Sequence, residues 1–344
     1  MDEKLYILLA EGSNVKALTK FLNVAFHQRA KAEGWAPWFY SEGQILAMLS
    51  SPQNFYKSFT IPKKSGGQRR IDAPCSTLKM IQWALVPVFA EMFSPTDQSY
   101  GFIKGRGIVE NARVHLGQDV VLNVDIEGFF PSISEGRLSS LFRAGHALRM
   151  SAYMARGIAR LCTLSGALPQ GSPASPVLTN MVAVRLDARL TGLANRFGCR
   201  YSRYVDDITF SSQGLGASQS LMPSLEKIMK GEGFGLNPGK TRIQLNSMRQ
   251  EVTGLILSHS SSGVTELVNS PRKQRRQVRA MLHVWREKGI LKAAEQNHFE
   301  GEESGLDFLR QLQGKVAHLR HVNKSQEVER YHTQLKELMK RDIA

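Results

Sequence analysis

Apolar residues near the amino terminus recur at helical spacing. Val15, Leu18, Phe21, Leu22 and Ala25 form one stripe, which predicts a mostly helical segment over residues 3–33. The run GWAPW at 34–38 interrupts it, and a second helix is expected from about Glu42 to Leu49. In FTIPKKSGGQRRIDAP, residues 59–74, alternating apolar positions flank a Lys-Lys-Ser-Gly-Gly turn, the pattern of a β-hairpin. Residues 76–93 return to helical spacing. VVLNV at 120–124 is a short, mostly apolar run, expected to be a buried strand ending at Asp125. Helical patterns cover about 135–163. PQGSPASP at 169–176 reads as a loop opening a helix that continues to about Phe197. RYSRYVDDITFSS at 200–212 places a strand on each side of a tight turn. A helix over 218–231 and two short strands, 241–246 and 251–258, follow. From Pro271 to Ala344 the pattern is helical, with a break at Glu300–Gly305. Strands in the middle with helices around them predict an α+β fold.

Composition narrows the function. The chain has 344 residues, 42% of them hydrophobic, which excludes a disordered chain. No apolar stretch approaches the ~20 residues a membrane span needs. The start, MDEKLYILLAEGSNVK, is acidic with a short apolar run and does not read as a secretory signal. Three widely spaced cysteines, Cys75, Cys162 and Cys199, form no CxxC pair and no metal spacing, so a reducing cytoplasm is expected. Lys and Arg number 45 against 30 Asp and Glu, a net charge of +15. That excess points to a polyanionic partner, since cations that neutralise phosphates release counterions; a merely soluble, charged surface is the alternative.

The sharpest chemical feature is Tyr204-Val205-Asp206-Asp207. Two adjacent carboxylates at the tip of an apolar hairpin carry a desolvation cost that a divalent cation removes. A lone Asp-Asp pair is commonly a solvated turn. Here a second apolar strand delivers Asp125 at its end, and three carboxylates on neighbouring strands suit a two-metal site for in-line phosphoryl transfer.

Taken in order, VDIEGFFPSI (124–133), LPQGSPASPVLTN (168–180) and YVDD (204–207) resemble the palm motifs of reverse transcriptases, over a span from about Ile61 to Leu257. The resemblance implies a right-hand polymerase. Its parts would be a helical extension of the fingers at 1–50, fingers at 51–118, a palm at 119–260 with a fingers insertion at about 135–170, and a helical thumb at 261–344. It also implies catalytic carboxylates at Asp125, Asp206 and Asp207, the Ile126 carbonyl as a further ligand, two Mg²⁺ ions, and dNTP substrates. Phe130 falls where the family places a ring under the incoming sugar, able to clash with a 2′-hydroxyl; a core aromatic beside Phe129 is the alternative. Gln170 and Gly171 match the loop that packs against nucleotide and template, where glycine permits close backbone approach. Lys63, Lys64, Arg69 and Arg70 would project from the fingers hairpin toward the triphosphate, with Arg69 the best match. Lys240, in GLNPGKT, falls where a lysine can protonate the leaving pyrophosphate, although a structural turn lysine is nearly as good an account.

Asn111-Ala112-Arg113-Val114-His115 has the form NAxxH, and Val252-Thr253-Gly254 is VTG. With YGFIKGRGI at 100–108 they resemble signatures of bacterial retron reverse transcriptases. That resemblance implies synthesis of multicopy single-stranded DNA (msDNA) on a cognate non-coding RNA, primed from a guanosine 2′-hydroxyl. It also implies a bacterial cytoplasmic location, an accessory effector protein and a role in anti-phage defence. After residue 265 no nuclease carboxylate cluster follows, so RNA removal would fall to host RNase H. A diversity-generating or CRISPR-associated reverse transcriptase, or a non-catalytic RNA-binding scaffold, are the rivals. Residues 271–344 carry 16 Lys and Arg against 10 Asp and Glu. Arg272, Lys273, Arg275, Arg276 and Arg279 sit at the start of a helix backed by Val278, Leu282 and Trp285. They are expected, with Asn111 and His115, to contact RNA; a basic solvent face is the plainer account.

Overall fold

The structure is a computed structural model, and it describes residues 3–36, 38–63, 66–144, 149–258, 267–301 and 303–342. Three helices lead: α1 (Glu3–Glu11), α2 (Val15–Glu33) and α3 (Glu42–Ser50). Asn14 caps α2 by accepting from the Ala17 amide at 2.9 Å, and Gly34 ends it in the left-handed conformation at φ 75°. Ser41 and Gln44 form a capping box on α3. The expected apolar stripe of α2 faces the main core, with Leu18, Phe21, Leu22 and Ala25 buried and Val15 packed against them.

An antiparallel hairpin follows, β1 (Tyr56–Pro62) and β2 (Gln68–Pro74), then α4 (Ser76–Met92) and the short α5 (Ile108–Arg113). β3 (Val120–Glu127) runs two residues past Asp125, where the sequence pattern ends it, because Ile126 and Glu127 pair with a further strand. Next come α6 (Glu135–Ala144), α7 (Ala152–Cys162), α8 (Ser175–Arg196), β4 (Arg200–Tyr204), β5 (Asp207–Ser212) and α9 (Leu215–Gly231). Short strands β6 (Gly235–Leu236), β7 (Arg242–Leu245), β8 (Gln250–Val252), β9 (Leu255–Ser258) and β10 (Leu267–Asn269) follow. The chain finishes on α10 (Arg272–Lys288), α11 (Ile290–Gln296), α12 (Ser304–Val322) and α13 (Gln326–Asp342).

β3 is central. β5 pairs with one edge, and β7 and β6 share the other, in the order β4-β5-β3-β6/β7, all antiparallel. Burial on both faces explains its composition: Leu122 and Val124 pack into the main core and Val121 into a separate apolar cluster, so VVLNV carries apolar residues on each face. The expected single strand over 251–258 is instead a hairpin, with Val252 opposite Leu255 and Thr253 and Gly254 turning at φ 48° and 78°. Positive φ at both central residues suits a two-residue hairpin turn.

Apolar packing falls into three groups. The main core unites the leading helices, the central sheet and α4, α6, α7, α8 and α9. The helices α10–α13 enclose their own core around Trp285, Phe308, Leu312 and Leu335. A small third cluster, including Val109, Val121, Val252, Leu257, Val268 and Val322, joins α5 and the β8–β10 sheet to both. This arrangement is the α+β architecture of a right-hand polymerase. Among the described residues no helix is long and apolar enough to cross a membrane.

Candidate active site and nucleic-acid interface

Asp125 and Asp207 are direct partners across β3 and β5, so their side chains share one face of the sheet. Asp206 lies in the two-residue turn between β4 and β5, and its carbonyl accepts from the Ile126 amide at 3.0 Å. The register therefore brings all three expected carboxylates and the Ile126 backbone together. Burial pushes the Asp207 carboxyl up to about 6, helped by the negative charges of Asp206 and Asp125. Burial raises Asp206 too, with Asp125 adding to it and Lys240 and Arg69 opposing.

Lys240 supplies the nearest counter-charge. Its Nζ donates to Asp125 Oδ1 at 2.7 Å, and that bond raises the lysine. The position is set by backbone: the Asn237 amide donates to the Asp125 carbonyl at 2.9 Å, and Pro238–Lys240 forms a single helical turn. With Asp125 turned to Lys240, the described side chains do not converge on a ready-made metal cage. Three mutually repelling carboxylates remain a donor set that hard cations prefer.

The fingers hairpin stands beside this site. The Asp72 amide of β2 donates to the Gln170 carbonyl at 2.7 Å. A Cβ at Gly171, where φ is 133°, would lie 2.8 Å from the Asp72 carbonyl, so only glycine lets the loop and β2 approach this closely. Arg69 is exposed, and its charge reaches Asp206. Arg70 points to the other face and pairs with Asp72 at 2.8 Å. Lys63 is exposed at the hairpin end, and Lys64 lies outside the described residues. Phe130 is half-buried, its ring edge-on to the buried Phe129 at 6.1 Å.

Two expectations are corrected. Asn111 and His115, expected to touch RNA, are fully buried and present no surface to it. The His115 ring bonds Ser202 Oγ on β4 and Ser211 Oγ on β5, both at 2.7 Å, and so staples the hairpin that carries Asp206 and Asp207. Burial, with Arg200 nearby, pushes this imidazole down to about 3. The VTG turn packs on the same helix, Thr253 Oγ1 donating to the Ile108 carbonyl at 3.2 Å. Thus the two short signatures meet through α5. In the carboxy-terminal helices, Arg275 is half-buried and pairs with Glu327 of α13 at 2.8 Å; it braces one helix against another. Arg272, Lys273, Arg276 and Arg279 are exposed.

Arg276 and Arg279 line a groove of about 640 Å³ between α10 and α13, together with His283, Arg286, Gln334 and Arg341. Residues 272, 276, 279, 283 and 286 follow one helical stripe, so the signal for the last two was present in the spacing beyond Arg279.

Residues 61–281 match the family described as reverse transcriptase (RNA-dependent DNA polymerase). The Retron Ec86 reverse transcriptase of Escherichia coli is 31% identical over 243 residues, covering 70% of this chain and 73% of that protein. The chain belongs to the retron reverse transcriptases. The Retron Mx65 reverse transcriptase of Myxococcus xanthus is 35% identical over 243 residues, 66% of this chain. The chain spans about half the length of the Myxococcus relatives, 55% and 52%. Among solved structures, telomerase from Candida albicans in complex with a telomeric RNA fragment aligns over 83% of this chain and 59% of its own. Its TM-score is 0.43 at 10% identity, a level that supports no further argument.

Proposed function

We propose that this retron-family chain is an RNA-directed DNA polymerase that copies part of a cognate structured RNA into multicopy single-stranded DNA. The observation that carries this reading is the meeting of Asp125, Asp206 and Asp207 on adjoining strand ends in a chain of this family. The three carboxylates, with the Ile126 carbonyl, would hold two Mg²⁺ ions. When bound, such ions activate a hydroxyl nucleophile and neutralise phosphate charge. The chain's own groups do the rest. Arg69 and Lys63 meet the triphosphate from the fingers, and Gln170 and Gly171 shape the nucleotide floor. Phe130 excludes a 2′-hydroxyl, and Lys240 carries a proton to the leaving pyrophosphate. Residues 51–118 act as fingers, 119–260 as palm and 261–344 as thumb, with the exposed arginines of α10 holding RNA.

The proposal extends to finer points that the retron resemblance implies. These are priming from a guanosine 2′-hydroxyl, RNA removal by host RNase H, and an effector protein serving anti-phage defence in a bacterial cytoplasm. Purified protein with a primed RNA template tests the core of the proposal. Asp206→Ala should lower primer extension at least ~10³-fold while RNA binding persists, since it removes a group used only in the reaction. Extension near the wild-type rate would refute the assignment. Phe130→Val should admit ribonucleotides on the order of 10-fold more readily, one steric contact being worth about that factor. Unchanged sugar discrimination would remove Phe130 from the gate.

A further inference from the structure

Arg203, one residue before YVDD, has a guanidinium fully buried beneath the site, at 0% exposure. Its Nε and Nη2 donate to the two carboxylate oxygens of Asp187 on α8, at 2.7 and 2.8 Å. Nη1 donates to the Val205 carbonyl at 3.0 Å, and Nη2 to Ser99 Oγ at 3.1 Å. Asn180 Oδ1 accepts from both Nη1 and Nη2 at 3.3 Å. Asp187 is equally buried and also accepts from the Tyr201 hydroxyl at 2.7 Å and Thr96 Oγ1 at 2.9 Å.

The group held in this way is strained. Val205 opens the β4–β5 turn at φ 60°. A turn with positive φ at its first central residue ordinarily takes glycine there, and a β-branched side chain persists only where its surroundings enforce it. Enforcement comes from two sides. Arg203 fixes the Val205 carbonyl, and Gly101 leaves the side chain room: a Cβ on Gly101 would lie 2.6 Å from Val205 Cγ2. Asn180 in turn holds the Gly101 carbonyl at 2.8 Å. On its other side the guanidinium lies 5.9 Å from the ring centre of Phe129, the neighbour of Phe130.

We propose that Arg203, oriented by Asp187, is a positioning residue that sets the turn presenting Asp206 and Asp207 and the seat of Phe130. The proposal rests on the polymerase reading above. A buried ion pair is a poor stabiliser compared with apolar side chains of similar volume, so stability alone does not account for it. One guanidinium bonded to the residue before Asp206 and packed on the residue before Phe130 couples metal-ligand geometry to sugar selection.

The experiment compares wild type, Asp206→Ala, the double variant Arg203→Met with Asp187→Leu, and Val205→Gly. Thermal midpoint, RNA affinity, and single-turnover extension across dNTP and rNTP concentrations are measured for each, well below the midpoint. The double variant leaves no lone buried charge. It should keep its fold and bind RNA as wild type does, yet extend ~100-fold more slowly with little change in apparent dNTP affinity, the cost of a misplaced reacting group. Its preference for dNTPs should also loosen. Val205→Gly relieves the strain but gives up a buried side chain and frees the unfolded chain, so its midpoint should fall modestly, while extension slows on the order of 10-fold as the turn loses its set conformation. A folded double variant with wild-type rate and sugar preference overturns the proposal. If that variant does not fold, wild-type extension by Val205→Gly overturns it instead. Equal activity in wild type and Asp206→Ala would mean that the polymerase reading has failed, which is a different result.

Discussion

The central sheet and the four carboxy-terminal helices manage charge in opposite ways. Beside the sheet most buried polar groups are paired, the Asn111 amide being an exception. Arg203, Asp187, Asn180 and Ser99 bond one another, and His115 is clamped between two serines. In α10–α13 the interior is apolar around Trp285 and Phe308, while Arg272, Lys273, Arg276, Arg279 and Arg286 lie outside. The difference follows from the tasks proposed for the two regions. Reacting groups need geometry fixed before the substrate arrives, and a buried, fully paired network supplies it. Holding a long polyanion needs exposed cations whose partners are phosphates wherever the strand lies. The same residue type, arginine, therefore acts as a fixed strut at Arg203 and as a free contact at Arg276.

The largest effect expected from this contrast is on RNA affinity. Replacing Arg276, Arg279 and Arg286 by Ala removes three cations from one stripe without touching the helical core. RNA affinity should fall on the order of 10- to 100-fold, and the slope of log affinity against log salt should flatten by about 2 to 3. Thermal stability should barely move. An unchanged salt slope would show that the groove between α10 and α13 is not where phosphates bind.

His115 tests the other half of the contrast, because its folded and unfolded states bind protons differently. Its imidazole is held at about 3, against 6.5 when free. Between those values the unfolded chain binds the extra proton, so the His115 contribution is complete above pH 6.5 and is lost as pH falls toward 3. The slope from this one group approaches 1.4 kcal/mol per pH unit at most. Urea midpoints from pH 8 to pH 4 should drop more steeply for wild type than for His115→Gln, whose amide bonds serines without titrating. Parallel curves would mean that the ring is not buried in its neutral form.

These two regions also differ in how well the amino-acid sequence exposes them. Local signals were sufficient for α2, for β3 and for the α10 stripe, because apolar spacing reports which face is covered. The three aspartates were legible because Asp125 follows the mostly apolar run 120–124 and Asp206 and Asp207 come just before the apolar residues of β5, where charge is out of place without a function. Partnerships across long separations were not legible. Lys240 reaches Asp125 from 115 residues away, and Arg203 reaches Asp187 only because β4 packs on α8. Residue type misled at Asn111 and His115: polar side chains suggested a nucleic-acid surface, and tertiary packing turned them inward. Splitting 251–258 into two strands needed a non-glycine residue, Thr253, at positive φ, which composition does not announce.

The smallest effect separates geometry from charge within the site itself. Asp207 sits at about 6 in the folded chain because burial and two neighbouring carboxylates disfavour its ionised form. A carboxyl raised above its unfolded value costs stability once both states are ionised, and that cost disappears as pH falls through the raised value. Asp207→Asn should therefore stabilise the metal-free protein by about 1 kcal/mol at pH 7.5, and the gain should shrink toward zero near pH 4. Urea denaturation in the presence of a chelator reads this directly. Added divalent cation should narrow the difference, since it compensates the wild-type charge and binds the variant less well. A gain that is the same at pH 4 and pH 7.5 would mean that side-chain packing, and not repulsion among Asp125, Asp206 and Asp207, sets the cost at this position.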